Sequence, residues 1–438
     1  MIKIYRSIIR SKIDYGSIIY GSARKSVLRY LDTVHHEGIR IATGSFRTSP
    51  IQSLLALYHE PSLIIRRAKL ALNYYFHIKS HPNHPMFPKI LTPDYETLFN
   101  HRPSCVPTFG LRMKKLLSDF TIEDFDILPV CKPHPPWIGI NFPFIDIFKG
   151  NTKEHTSSII YQQIFNYHRE QYADFNPVFT DGSKTNGHTA SAVVANGSTV
   201  SEKLPPSCSV FTSEAHAIFL ALQFISSQPL KKWYIYSDSK SCIEALLNCN
   251  HKPHSIINCI FNLYNTLKLS GYKIIFSWIP GHTGILGNEV ADRAAKSTNN
   301  LTNHKSTLSD VKNIIKCTLY SEWQKNWNNE TNNKLHSIYS NLQPYTHPNL
   351  LRKLEVVLSR LRIGHTRRHL LLNEPAPECS HCKEPLTMKH ILTKCSKFKI
   401  QRQCQFGCFN PSLILLIGNS PHDNIFSCLK AIGFDTSI

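Results

Sequence analysis

Residues 177 to 296 switch between two hydrophobic periods in an order that few folds accept. Val178 to Thr180 is a short apolar run of strand type. Ala190 to Ala195 and Thr199 to Leu204 read as two strands joined through Asn196-Gly197, a dipeptide favoured where a tight turn needs positive φ. Ser213 to Ile225 changes to helical spacing, with Ala217, Ile218, Ala221, Leu222 and Ile225 on its buried side. Tyr234 to Ser237 returns to strand. Ser239 or Ser241 can cap the helix after it, with Glu244 completing a box from Ser241. A further helix precedes the alternating strand Lys273 to Ile279, and Asn288 can cap a last helix. This order predicts an α/β unit, a mixed five-stranded sheet with helices packed on it.

Four acids fall at element ends in this stretch. Asp181 sits in the strand entering the core, just after its apolar run, and Asp238 ends the run Trp233 to Ser237. Glu214 and Asp292 fall in first turns of helices, near the amide-rich ends that favour an anion. Strand and helix ends can bring all four to one edge of the sheet. Two charges about 4 Å apart repel by roughly 4 kcal/mol at an effective dielectric near 20. The cluster therefore predicts divalent cations, and oxygen-only donors favour Mg²⁺ or Mn²⁺ over zinc. Paired Mg²⁺ ions at such a site stabilise the attacking and leaving oxygens of phosphodiester cleavage. Singly, each acid could be a cap or an ion-pair partner; together they read as one site.

Thr180-Asp181-Gly182-Ser183, Ser213-Glu214-Ala215, Ser237-Asp238-Ser239, Trp278-Ile279-Pro280-Gly281-His282-Thr283-Gly284 and Gly287-Asn288-Glu289-Val290-Ala291-Asp292 occur in the order of type 1 ribonuclease H. Residues 175 to 299 resemble that family. The resemblance implies that Asp181 bridges two metals, Asp292 helps hold the one that activates water, and Glu214 and Asp238 hold the other. His282, on a glycine-flanked loop, would be a mobile proton carrier aiding product departure. Ser183, Ser239 and Asn288 would line the minor groove of an RNA–DNA hybrid, where 2′-hydroxyls distinguish RNA from DNA. The basic protrusion of some family members is missing, since Asn248-Cys249-Asn250-His251-Lys252-Pro253 is short and nearly uncharged.

Charge bears on the partner. The net charge is +20 over 438 residues. Residues 1–80 carry 13 Lys and Arg against 4 Asp and Glu, and residues 301–438 carry 18 against 9. Residues 175–300 carry only 10 against 7. Two basic flanks around the more weakly charged centre that holds the acid cluster suit a nucleic acid and leave tight hybrid binding to the flanks. No apolar run is long enough to span a membrane, and Met1-Ile2-Lys3-Ile4-Tyr5-Arg6 does not read as a signal peptide, so an intracellular setting is expected. The 13 cysteines then read as reduced thiols, most of them, such as Cys242 and Cys259, packed singly in the core.

Residues 1–80 have helical periodicity, with Arg66, Arg67 and Lys69 either meeting phosphate or facing solvent. Ser11 to Ser17, Tyr20 to Ala23, Ile39 to Pro50 and Arg66-Arg67 resemble the segment that closes the reverse transcriptase of jockey-like non-LTR retrotransposons. No palm with paired aspartates precedes it, so polymerase activity is not expected. Tyr172-Ala173-Asp174-Phe175 has one Asp where a polymerase box has two and is read as chance. Prolines punctuate 81–172, which reads as a linker leading to a nuclease domain at 173–299; its apolar cluster Phe142, Phe144, Ile145, Ile147 and Phe148 can dock on a neighbour, and 158–171 can form a helix.

Beyond the centre, 300–372 reads as a helical basic segment, with a helix from Leu301 to Trp327 and an Asn-rich loop after it. Leu351-Arg352-Lys353 and Arg360 to His369 are candidates for phosphate contact or for a solvated helix face. Within 373–410, Cys379, Cys382, His390 and Cys395 give C-x₂-C-x₇-H-x₄-C, a closed zinc set of the structural kind; His381 or Cys404 could replace a ligand. Thr387 could cap a short helix bearing His390. The spacing resembles the cysteine-histidine motif that follows ribonuclease H in jockey-like polyproteins, and 411–438 is a tail. The whole reads as a multidomain chain, an α/β nuclease between helical flanks, and nuclear location follows from the lifestyle of such elements. Two rivals are an inactive nucleic-acid-binding remnant and a DNA-cutting integrase or transposase of the same fold.

Overall fold

The architecture comes from a computed structural model, which describes residues 1–102, 105–131, 141–151, 155–248, 254–299, 304–365, 375, 377–419 and 421–434. Five strands, β1 (Asn176–Thr185), β2 (His188–Ala195), β3 (Ser198–Leu204), β4 (Lys232–Ser237) and β5 (Lys273–Trp278), form one sheet in the order β3-β2-β1-β4-β5. β1, β2 and β3 run antiparallel because short turns join them; at the second turn Asn196 and Gly197 have φ of 47° and 77°. β4 and β5 join in parallel, which requires helical crossovers.

The period of two sorts side chains onto two faces. Val178, Trp233, Ile235 and Phe276 face a core shared with α2 (Val210–Ser226) and α4 (Ser255–Leu269). Phe179, Tyr234 and Tyr236 face a second core, under α1 (Ser158–Gln171) and α5 (Leu286–Ser297). There Tyr234 and Tyr236 stack at 4.5 Å, and Phe165 from α1 meets Tyr236 edge-on at 5.1 Å. The short helix α3 (Lys240–Leu247) follows β4.

Two helix starts and one capping box differ from the sequence reading. Ser209, accepting from the Thr212 amide, caps α2, so Glu214 lies in its second turn. Asp292 likewise lies past the first turn of α5. Ser239 takes the cap position of α3 without a side-chain capping bond, and Glu244 faces Lys240 at 4.0 Å, so no capping box forms. Asn288 does not cap α5; Ile285 holds that position, because the Asn288 amide is drawn instead to the Asp238 carboxylate.

The stretch expected to be a linker is packed at both ends. Ile90, Met113, Leu117, Ile122 and Ile127 join the N-terminal helical core. Phe144 pairs in parallel with Phe276, the Phe276 amide donates to Pro143 O at 2.8 Å, and Phe142 stacks on Tyr264 at 4.4 Å. This segment covers the β5 edge, which would otherwise present unpaired amides. Cys259, read as a lone core thiol, is half-buried and lies 2.8 Å from the Cys131 sulfur.

The helical flanks share a core. Leu54, Leu72, Tyr75 and Phe76 pack with Val311, Ile315, Leu319 and Trp323 of the helix Leu308–Asn328, which begins seven residues later than expected. Residue 127 bridges to residue 306 at the same seam. Many basic side chains serve this packing. Glu60, fully buried, accepts from Arg6 and Arg10, and Arg66 pairs with Asp14. Arg352 and Arg360 donate to the carbonyls of Ala42 and Gly44, and Arg362 donates to Ile417 O at 2.8 Å. Phosphate contact by these three arginines is therefore replaced by internal bonding; Arg367 and Arg368 lie outside the described residues. Residues 377–434 pack on the helix Arg352–Ile363 through Leu358, Leu361, Ile391, Leu392 and Leu429.

Candidate active site

The strand register assembles the site. Thr180 pairs with Ser237 across β1 and β4, so Asp181 and Asp238, one residue on, emerge side by side. Gly182 brings α2 against β1. A Cβ there would stand 2.3 Å from the Glu214 amide nitrogen, so only glycine permits the approach. The Gly182 amide then donates to Glu214 Oε2 at 3.0 Å. Gly281 does the same for the following loop, since a Cβ would lie 2.6 Å from Asp238 Oδ2.

As a result, carboxylate oxygens of Asp181, Glu214 and Asp238 lie within 4.8 Å of one another. Burial, then the neighbouring acids, pushes Asp181 up to about 8 and Glu214 up to about 9. Burial also raises Asp238, against a lowering by the Asn288 amide, which donates to Oδ2 at 3.2 Å. Asp292 stands outside that close trio. Its carboxylate is held by Lys296 at 2.7 Å and faces His282 Nδ1 at 4.0 Å, while its charge still raises Asp181. Three carboxylates whose burial and mutual repulsion disfavour bare negative charge, and which offer oxygen alone, fit a hard divalent cation.

His282 has φ +57° in a left-handed turn and its side chain is 69% exposed. The loop is pinned from two sides. Gln162 of α1 donates to Thr283 O at 2.8 Å, and Glu289 accepts from the Gly284 amide at 3.2 Å. Of the three groove-lining candidates, Ser239 is half-buried, whereas Ser183 and Asn288 are 7% and 2% exposed. Asn288 thus orients Asp238 from below. Sequence reasoning missed Lys296, Glu289 and Gln162. Lys296 was legible as the i+4 partner of Asp292, but Gln162 lies 121 residues from its acceptor and left no signal.

The tail brings its own set together. Cys379, Cys382, His390 and Cys395 offer ligand atoms within 4.8 Å of one another, and the Cys395 sulfur lies 3.7 Å from both other sulfurs. That spacing is the edge of a tetrahedron with metal–sulfur bonds of about 2.3 Å. His390 Nδ1 contacts Glu384 at 2.8 Å, which leaves Nε2 buried without a partner beside the thiols. Backbone amides of Cys382 and His381 lower Cys379 to about 6, toward the thiolate that a metal needs. Thr387 caps the stretch as expected, accepting from the His390 amide at 3.1 Å. Cys404 is exposed and His381 stands outside the set.

Sheet order and helix placement define an RNase H-like fold, with three carboxylates gathered where β1 and β4 end their pairing. Residues 176–300 match the ribonuclease H family, and this part of the chain is an RNase H domain. The chain is similar to the Pol polyprotein of equine infectious anemia virus. The strain Wyoming protein is 32% identical over 123 residues, covering 27% of this chain and 10% of the polyprotein. That of isolate 1369 is 32% identical over 122 residues with the same coverage. The chain thus spans about a tenth of the length of these relatives. No helix among the described residues is long and apolar enough to cross a membrane.

Proposed function

We propose that the protein cuts the RNA strand of RNA–DNA hybrids endonucleolytically, leaving 3′-hydroxyl and 5′-phosphate ends, as the C-terminal part of a retrotransposon polyprotein. The observation that carries the reading is the trio Asp181, Glu214 and Asp238, the first buried and the others half-buried, whose oxygens gather within 4.8 Å at the end of the paired strands. Two Mg²⁺ ions held by these acids and Asp292 would offset charge developing on the attacking and leaving oxygens. Asp181, the most buried of the trio, would be among the residues that hold these ions. Asn288 keeps Asp238 oriented through its amide. His282, exposed and 4.0 Å from Asp292, would carry a proton at Nδ1 as the product leaves. Ser239, half-exposed beside Asp238, meets the hybrid's groove. The tail's Cys379, Cys382, His390 and Cys395 would hold one structural Zn²⁺, and the exposed lysines 383, 389, 394 and 397 around it suit nucleic acid.

The test uses a labelled RNA strand, paired with DNA and separately with RNA, alongside duplex DNA, in Mg²⁺. Wild type is expected to cut only the hybrid, and Asp238→Asn to bind hybrid and leave it intact. Cutting of duplex DNA would favour an integrase-like enzyme. Hybrid binding without cutting by wild type would leave an inactive binding remnant.

A further inference from the structure

Two residues along α2 from Glu214, at His216, three metal-ligating side chains converge in a set separate from the trio, where the nuclease reading has no use for them. Glu202 comes from the edge strand β3, His216 from α2, and His304 from the segment entering the helix Leu308–Asn328. One ligand atom of each lies within 4.8 Å of the others. Glu202 Oε2 stands between two imidazoles, 2.6 Å from His304 Nε2 and 3.7 Å from His216 Nε2. The second distance is too long for a hydrogen bond. His216 is only 6% exposed, and its other nitrogen, Nδ1, contacts Ser191 Oγ at 2.7 Å. An outer hydrogen bond of this kind orients ligating imidazoles and directs the free nitrogen at the metal.

We infer that Glu202, His216 and His304 form a second divalent-metal site, suited to Zn²⁺, that clasps the nuclease domain to the helical arm after it. Two imidazoles and one carboxylate are borderline donors, which favour zinc over magnesium. Metal–ligand bonds of about 2.0–2.1 Å place tetrahedral donors roughly 3.3 Å apart, between the two distances seen here. Three protein ligands leave a fourth position for water or a small anion.

The position gives the site a purpose. Asp310, six residues beyond His304, accepts from the Ser209 amide at 3.1 Å and from Thr212 Oγ1 at 2.8 Å. The arm thus already grips the N-terminal end of α2, the helix that carries Glu214. A metal on His216 and His304 would add a second grip on the same helix and fix the arm against β3 through Glu202.

Cobalt titration of the full chain in excess Mg²⁺ tests the site, because thiolate and imidazole–carboxylate cobalt differ spectroscopically. The tail's cysteines would give intense thiolate charge-transfer bands. The proposed site would give a weaker visible band with none. Wild type is expected to show both, and His304→Ala to lose the thiolate-free band while keeping the other. Its zinc affinity should fall at least about tenfold, in the range usual when a metal's supporting groups are lost. The absence of a thiolate-free band in wild type, which needs no variant to fold, would overturn the inference. So would its persistence in both His304→Ala and Glu202→Gln. Asp238→Asn should leave it unchanged, since the nuclease acids are a separate set.

Discussion

Single residues decide how the acid trio behaves before any cation binds. Asp181 and Glu214 are raised to about 8 and 9, while an unfolded chain would titrate them near 4. Between those values the folded state binds more protons than the unfolded one. The metal-free protein should therefore lose stability as pH rises from about 4 to 9, and Mg²⁺ should restore it. Melting temperatures from pH 5 to 9, with and without Mg²⁺, check this. Asp181→Asn should flatten the slope and stabilise the metal-free protein at pH 8 by about 1–2 kcal/mol. Asn288→Ala leaves Asp238 without its donor and should weaken Mg²⁺ binding about tenfold, measurable by calorimetry. The convergence of Asp181, Glu214 and Asp238 was legible because each sits in a short motif in the family's order, although only Asp238 lies at the end of its element. The buried position of Asn288 was not, because asparagine near a helix start reads equally as a cap.

Secondary elements were legible wherever one hydrophobic period ran unbroken. The Asn196-Gly197 hairpin and the strand Tyr234 to Ser237 lie where alternation placed them. Helix starts were harder, since several hydroxyl side chains compete for each cap: Ser209, not Ser213, begins α2. Close approach of elements was not legible either. At Gly182 the next helix touches the strand backbone, so Gly182→Ala must push α2 away from β1. The substitution should cost about 1–3 kcal/mol, by denaturant titration, and lower cleavage more than hybrid binding because Glu214 moves with the helix.

At the scale of the whole molecule, proline-rich composition misled the sequence reading. It marks residues 81–172 as a linker, yet Ile90, Met113, Leu117 and Ile127 join a helical core, whereas the docking of 142–145 on the β5 edge and the helix α1 follow from their apolar spacing. A fragment of residues 141–299 should therefore melt cooperatively, whereas one of residues 175–299 should melt lower or aggregate; calorimetry of the two decides. The joint core of the two helical flanks was equally hidden, because its halves lie on either side of the nuclease domain. That arrangement carries a consequence for synthesis on the ribosome. Leu72 and Phe76 emerge long before Val311 and Trp323, their partners. At about 5–20 residues per second, the roughly 235 residues from Phe76 to Val311 take on the order of 10–50 seconds to make. Through that interval the nascent N-terminal helices wait with an uncovered apolar face, while the nuclease domain between them can already close. A pause placed before codon 308 should therefore increase chaperone capture of the nascent chain, and one placed after residue 363 should not.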